Sequence, residues 1–325
     1  QANFNQCTLR LLHGDFERGS EKYRWRKLFP GRRVSFPALN GRLWDGSSLA
    51  GRSLFVHGEQ GLGDEIMFAS CFPDLIATAE RCVIGCNRRL EALFRRSFPH
   101  AEVIGENYEK LAPWAEVAPA TEFYAPSGDL MYLLRRTADA FPSHDGYLKA
   151  DSARTAHWRS ALERLDPRPK LGFAWRGGTK YTGRRRRSLE LDQLLPILSL
   201  PGLAFVCVQY GKVGEELGAL RERHGIQVHH FEAALADLDD FAALISALDV
   251  TISVCSSTVH LAGALGRPVW VIAPHVPEWR YGMAGDQMVW YPSARVFRQS
   301  AVGAWDEVIA RVARELARRA SAVTA

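Results

Sequence analysis

Three short runs carry the residue types able to do chemistry. The first is His57-Gly58-Glu59-Gln60-Gly61-Leu62-Gly63-Asp64. Gly61 and Gly63 permit a tight turn and the close approach of another molecule to the backbone. Asp64 has two readings: an acid in the first turn of a helix, favoured there by the dipole, or a general base facing a cleft. His57 and Glu59 on the same loop are the next candidate bases. The second run extends from Trp175 and Arg176 to Arg187 and Ser188, with Lys180 between them. Glycine, hydroxyl and cationic residues together are the equipment of a phosphate cradle. A solvated charge run and a nucleic-acid surface are the alternatives. A nucleic-acid groove would need a broader basic surface with exposed aromatics. The third run is Cys255-Ser256-Ser257-Thr258-Val259-His260. Its hydroxyl residues open a helix whose free N–H groups suit a pyrophosphate; plain N-capping by Ser256 or Ser257 is the alternative.

The elements that must position these runs alternate between strand and helix. Residues 1–27 predict two helices joined by the turn His13-Gly14-Asp15, and 29–50 have the Pro and Gly content of a linker. Strands are predicted over 53–57, 82–85 and 101–104, with apolar-periodic stretches over 65–79 and 90–97 between them. A strand or loop leading to a helix is expected over 123–134. A second series begins with a helix over 153–165. It continues with strands over 171–175, 203–209, 226–228, 249–254 and 269–272, helices between them, and an amphipathic helix over 305–319. Two such series predict two parallel-sheet α/β domains. Ligands in such sheets bind beyond the carboxyl ends of the strands. All three chemical runs sit there, and so does Gln209.

Composition agrees with this reading. The chain has 325 residues, enough for two domains, with 47% hydrophobic and 24% charged residues, which excludes a disordered chain. No apolar run is long enough to span a membrane. The six cysteines are scattered, which suggests a reducing, cytoplasmic setting. Cys82 and Cys86 read as buried strand residues, because no four donors have the spacing of a structural zinc site. Asp237-Leu238-Asp239-Asp240 contains a DxD, a pattern that can hold a metal, and reads here as a helix cap. No metal site is predicted. The net charge of +5 is dominated by arginine. The chain starts with Gln1 and without an apolar leader, and is expected to be a piece of a longer or processed chain.

Taken together the runs resemble the catalytic part of bacterial tetratricopeptide-repeat glycosyltransferases, related to heptosyltransferase-like and O-GlcNAc-transferase-like GT-B enzymes. The resemblance is carried by Gly14-Asp15-Phe16-Glu17-Arg18-Gly19 with Tyr23-Arg24-Trp25-Arg26, Trp44-Asp45-Gly46 with Leu49-Ala50-Gly51, and Glu59 to Asp64. Further on it is carried by Trp175, Arg187-Ser188, Ala247-Leu248-Asp249, and Ser253-Val254 leading to His260 and Gly266. Pro277-Glu278-Trp279-Arg280 and Trp290-Tyr291-Pro292 complete it. It implies an α/β GT-B fold: a helical repeat remnant and linker (1–50), a Rossmann-like acceptor domain (51–150) and a Rossmann-like nucleotide-sugar domain (151–325), with a cleft between them. The helix over 305–319 is expected to pack back on the N-terminal domain.

The activity implied is metal-independent transfer of a sugar from a nucleotide-activated donor to an acceptor hydroxyl, with inversion and no cofactor. Ser256, Ser257, Thr258 and His260 would hold the donor diphosphate, with Lys180, Arg187 and Ser188 supplying cations and hydroxyls. Trp175, Arg176, Gln209 and Cys255 would lie near the base or sugar. Asp64 would be the general base, on a cleft loop with His57, Gln60, Gly61 and Gly63. The implied partners are the nucleotide sugar and a protein acceptor such as flagellin, recruited by upstream repeats, or a glycolipid; nucleic acid is not among them. The chain departs from the family at Cys255, where the family has Asp followed by Thr. In related heptosyltransferases that acid touches the donor sugar, so the departure bears on donor identity and on activity. A non-catalytic binding module and a GT-B-fold sugar-nucleotide epimerase are the rival readings.

Overall fold

The structure, a computed structural model, describes residues 2–28, 39–107, 114, 117–178 and 183–323. The chain divides into two compact units, Gln1–Lys149 and Ala150–Ala325.

In the first unit five parallel strands form one sheet. They are β1 (Arg42–Leu43), β2 (Ser53–His57), β3 (Arg81–Asn87), β4 (Glu102–Glu106) and β5 (Phe123–Pro126), in the order β1-β5-β2-β3-β4. Leu54, Phe55 and Val56 of β2 and Val83 and Ile84 of β3 are at most 1% exposed. Strands covered on both faces need such continuous apolar runs. His57 pairs in register with Gly85 on one side and Pro126 on the other. The loop that follows β2 therefore leaves the sheet at its centre, at the carboxyl edge. The stretch 65–79 is not one helix but two, Leu62–Phe68 and Phe72–Thr78, separated by a tight turn, Ala69–Cys71. Pro73 lacks an N–H and fits only the first turn of the second helix.

The chain start forms helices Ala2–Leu12 and Phe16–Tyr23, then a short 3-10 turn, Arg24–Leu28. Asp15 caps the second helix by accepting from the Arg18 N–H at 3.1 Å. Phe16 and Tyr23 are buried, and the Tyr23 ring lies 6.2 Å from that of Phe68. This helical pair is thus part of the first unit rather than a separate body.

The second unit holds a seven-stranded sheet. Its strands are β6 (Lys170–Ala174), β7 (Ala204–Cys207), β8 (Val228–His230), β9 (Val250–Val254), β10 (Val269–Ala273), β11 (Gln287–Met288) and β12 (Tyr291–Arg298), in the order β11-β12-β10-β9-β6-β7-β8. All neighbours are parallel except β11 and β12. β12 has no counterpart among the strands predicted from the sequence.

The C-terminal helix, Trp305–Val323, packs on the core of its own unit. Val308, Ile309, Val312 and Leu316 lie in one core cluster with Leu191, Leu194, Ile197, Trp270 and Phe297 of the same unit. Arg295 reaches Glu315 at 2.9 Å. The helix's apolar face is thus buried within the second unit. Asp237 of the DxD caps the helix Leu238–Ala247, accepting from the Asp239 N–H at 2.9 Å, and pairs with Arg154 at 2.9 Å. Among the described residues no helix is long and apolar enough to cross a membrane.

Candidate functional site

In the second unit three loops meet beyond the carboxyl ends of β6, β9 and β10. The loop after β9 leads into the helix Ser257–Ala264, whose N-cap is Ser256. The Ser256 hydroxyl accepts from the Thr258 N–H at 3.3 Å and lies 2.9 Å from the Ser253 hydroxyl. Ser257 is partly exposed and Thr258 is buried. The helix start so offers one capping hydroxyl and its first backbone N–H groups.

The loop after β6 crosses this turn at close range. A Cβ on Gly177 would overlap the Cys255 carbonyl oxygen, and one on Gly178 would overlap the Arg187 guanidinium; Gly178 has φ +72°. Only glycine lets the chain pass between these groups. Ser188 anchors the loop, its hydroxyl accepting from the Gly177 N–H at 3.2 Å. Arg187 is 8% exposed and paired with Glu278 on the loop after β10. Arg280 stands 3.9 Å from the same carboxylate. Arg298, at the end of β12, donates to the carbonyls of Gly282 and Gly285, each at 2.9 Å, and so ties this loop down. Lys180 lies outside the described residues.

Several predicted site residues are already engaged. Trp175 is 0% exposed and packs on Phe173 at 5.7 Å between ring centres, so its ring is core and not a free stacking face. Gln209 is buried, and its amide oxygen accepts from the N–H groups of Trp175 (3.0 Å) and Arg176 (2.7 Å). It ties the end of β6 to the residues after β7. The Arg176 side chain pairs with Glu216 at 2.5 Å. Cys255 is 0% exposed, and burial, reinforced by Glu278, pushes its thiol well above the usual range. It is a neutral thiol and a poor nucleophile.

His260 is buried, its Nδ1 2.9 Å from the Tyr291 hydroxyl. Burial, with the charges of Arg280 and Arg187, pushes its pKa down to about 3. It would meet a phosphate as a neutral ring, not as a cation. Glu278, Arg280 and Tyr291 stand in the runs Pro277–Arg280 and Trp290–Pro292 without a role that local sequence reveals, because their pairing with Arg187 and His260 is tertiary.

In the first unit Asp64 occupies the third position of the helix Leu62–Phe68 and is partly exposed. Its Oδ2 accepts from the Gly61 N–H at 3.4 Å. The helix-start role is thus filled. The other two candidate bases are corrected. Glu59 is 4% exposed: Oε2 accepts from Arg26 Nε at 2.8 Å and Oε1 from the Gly128 N–H at 2.8 Å. Its charge is committed to holding the fold. His57 is 1% exposed, and burial pushes its pKa down to about 4.

The two buried imidazoles make stability depend on pH. In the unfolded chain each titrates near pH 6.5, whereas in the fold each stays neutral to about pH 4 (His57) or 3 (His260). Between those values the unfolded chain binds more protons. Their contribution is complete above pH 6.5 and is lost as pH falls through the window, by about 1.4 kcal/mol per pH unit per histidine. Urea midpoints at pH 7, 6 and 5 should fall accordingly, and His57→Gln and His260→Gln should each flatten the slope. A variant with the parental slope would show that its imidazole is protonated in the fold.

Comparison with known protein families finds no match for the chain. Among curated proteins it is 35% identical over 328 residues to Protein FlbA of Caulobacter vibrioides, covering 96% of this chain and 54% of that protein. The chain thus spans about half the length of the curated relative it matches. Its fold is similar to that of E. coli ADP-heptose lps heptosyltransferase II (TM-score 0.58, 16% identity, 84% of this chain and 100% of that one). It is also similar to a family 9 glycosyl transferase of Veillonella parvula (TM-score 0.56, 14%, 78% and 87%) and to E. coli heptosyltransferase WaaC with ADP-2-deoxy-2-fluoro heptose (TM-score 0.54, 12%, 82% and 99%). Identities this low speak to architecture alone. The chain has the GT-B fold, built of two Rossmann-like α/β units.

Proposed function

We propose that the chain binds a nucleotide-activated sugar on its second unit and transfers the sugar to an acceptor hydroxyl, with Asp64 of the first unit as general base. The observation that carries this reading is the convergence of three strand-end loops on the start of the helix Ser257–Ala264, with Arg187 beside it. A diphosphate there accepts from the backbone N–H groups of the first helical turn and the hydroxyls of Ser257 and Ser188, and pairs with Arg187 and Lys180. These groups offset the charge that develops on the leaving phosphate, the part a metal ion plays in other transferases. The acceptor oxygen bonds to the anomeric carbon from the face opposite the leaving group. The bond from that carbon to the phosphate oxygen breaks with its electron pair going to the phosphate, and the acceptor proton passes to Asp64. Configuration is thereby inverted. The WaaC structure with an ADP-linked sugar analogue supports a nucleoside-diphosphate donor. A protein acceptor such as flagellin, held by repeats upstream of this chain, is the reading we favour over a glycolipid.

Arg187 gives the test. Glu278 holds its guanidinium, and a diphosphate competes with that carboxylate for it. Arg187→Ala should weaken binding of a nucleoside diphosphate by about 1.5–3 kcal/mol, the scale of a charge-assisted hydrogen bond. Glu278→Gln should strengthen it, because the competing anion is gone. Calorimetry with UDP, GDP, ADP and CMP on both variants reads the signs. Equal affinity in the parent and Arg187→Ala would remove the phosphate from this position.

The buried Cys255 favours one second reading, a module that binds the sugar nucleotide without turning it over, since a neutral thiol stands where the family has a carboxylate. Slow donor hydrolysis in the absence of acceptor separates the enzyme from the binder.

A further inference from the structure

We propose that Tyr23 and Arg26, on the N-terminal helical segment, are positioning residues for Asp64: acting through Glu59 and Gln60, they set the backbone turn from which the Asp64 carboxylate is presented. The inference rests on the reading of Asp64 as the base.

One backbone angle on this loop is unusual. Gln60 has φ +69°, and among the described residues no other non-glycine residue has positive φ. A side chain with a Cβ is disfavoured there, and glycine would adopt the turn freely. Such a conformation persists where its surroundings over-determine it. Two contacts from the helical segment do so. Before Gln60, the Glu59 carboxylate is gripped on both oxygens by Arg26, which is 2% exposed and also donates to Asp129 at 2.7 Å. At Gln60 itself, the side-chain amide exchanges hydrogen bonds with the Tyr23 hydroxyl: Nε2 donates at 2.6 Å, and the hydroxyl lies 3.0 Å from Oε1. A glutamine is therefore explained at a glycine-like position, because its side chain is the handle.

The next residue transmits the constraint. The Gly61 N–H faces Asp64 Oδ2 at 3.4 Å, and the Gly61 carbonyl accepts from the N–H groups of Asp64 (2.9 Å) and Glu65 (3.1 Å). A rotation at Gln60 would swing this amide plane and shift the first helical turn that carries Asp64. A general base must stand within hydrogen-bond reach of its proton. A buried ion network is weak evidence for stability, and its best-attested use is to fix one geometry among several. Here it joins motifs that lie 33 residues apart in the chain, Tyr23 to Arg26 and Glu59 to Asp64.

The test uses the full chain with Gln60→Gly and Tyr23→Phe, neither of which removes a buried charge. Three quantities are read: amide exchange of residues 58–64, thermal unfolding, and nucleotide released from whichever of the UDP-, GDP-, ADP- or CMP-sugars a thermal-shift screen selects. For Gln60→Gly the unfolding midpoint should stay or rise, as glycine relieves the backbone. Exchange over 58–64 should be faster by about tenfold. In both variants kcat should fall on the order of 10–100-fold with the donor KM unchanged, the pattern of a misplaced group and not of a lost binding contact. Unchanged exchange, or unchanged kcat in a chain whose Asp64→Asn variant is slow, overturns the proposal. If Asp64→Asn itself keeps the parental rate, the base reading fails by itself. Exchange at 61–64 then decides alone: acceleration upholds the clamp and parental rates refute it.

Discussion

Arg26→Met is expected to destabilise the first unit by about 3–5 kcal/mol, the cost of breaking a buried ion pair and leaving its partner behind. Arg26 neutralises Glu59 and Asp129 together, and each of the three is at most 4% exposed. Burial opposes the charge on Arg26, yet Glu59 and Asp129 raise its pKa well above the usual guanidinium range. Burial likewise opposes the charge on Asp129, and Arg26 and Lys27 hold its pKa below the usual carboxylate range. Without the guanidinium, Glu59 keeps among the described residues its backbone donor Gly128 and the long contact from Gln60 at 3.4 Å, while Asp129 retains Lys27 and, at 3.5 Å, Arg24. Denaturant unfolding measures the loss. The double variant Arg26→Met/Glu59→Gln should recover part of it, since the stranded charge is removed. A loss below about 1 kcal/mol would mean that water reaches the network and screens it.

Asp64→Asn is expected to lower turnover by about 10²–10⁴-fold with donor affinity unchanged. A sugar or protein hydroxyl is a weak nucleophile until its proton is leaving, and a carboxylate at hydrogen-bond distance accepts that proton during attack. Asparagine keeps the shape and can still accept from the Gly61 N–H through its oxygen, so the helix start survives. The donor phosphates are assigned to the other unit, so binding should not move. Turnover at the parental rate would leave Asp64 as a helix-start acid alone. Loss of folding or of nucleotide affinity would make its role structural. With Glu59 committed to Arg26 and His57 buried and neutral, neither neighbour on that loop could take over at little cost.

Much of the architecture was legible because periodicity and burial are local. β2, β3, β6, β9 and β10 are short runs of apolar residues bounded by polar or turn-forming ones, as strands buried on both faces must be. The Asp237 cap was equally legible, because a cap acts on N–H groups two or three residues away. β12 escaped for the converse reason. Tyr291-Pro292-Ser293-Ala294-Arg295-Val296-Phe297-Arg298 has a proline and two arginines, and only its pairing with β10 on one side and β11 on the other makes it a strand. The C-terminal helix showed its apolar stripe but not the surface that would cover it, since amphipathicity names a face and not its partner.

The same division runs through the site. The sequence by itself determined which residue types stand beyond the strands: the hydroxyls of Ser256, Ser257 and Ser188, the cation Arg187 and the carboxylate Asp64. Their order along the chain, and the helix starts that carry them, follow from local pattern. The tertiary structure decided which of the polar groups are already spent. Gln209 and Trp175 read as ligand contacts because they end strands, yet one caps backbone N–H groups and the other fills the core. Glu59 read as a spare base, yet Arg26 holds it. His260 read as a phosphate ligand, yet burial beside Arg280 and Arg187 keeps it uncharged. The physical reason is common to all four. A side chain's charge state and free hydrogen-bonding capacity depend on burial and on partners brought in from distant parts of the chain, and neither quantity is a property of the residue or of its neighbours in sequence.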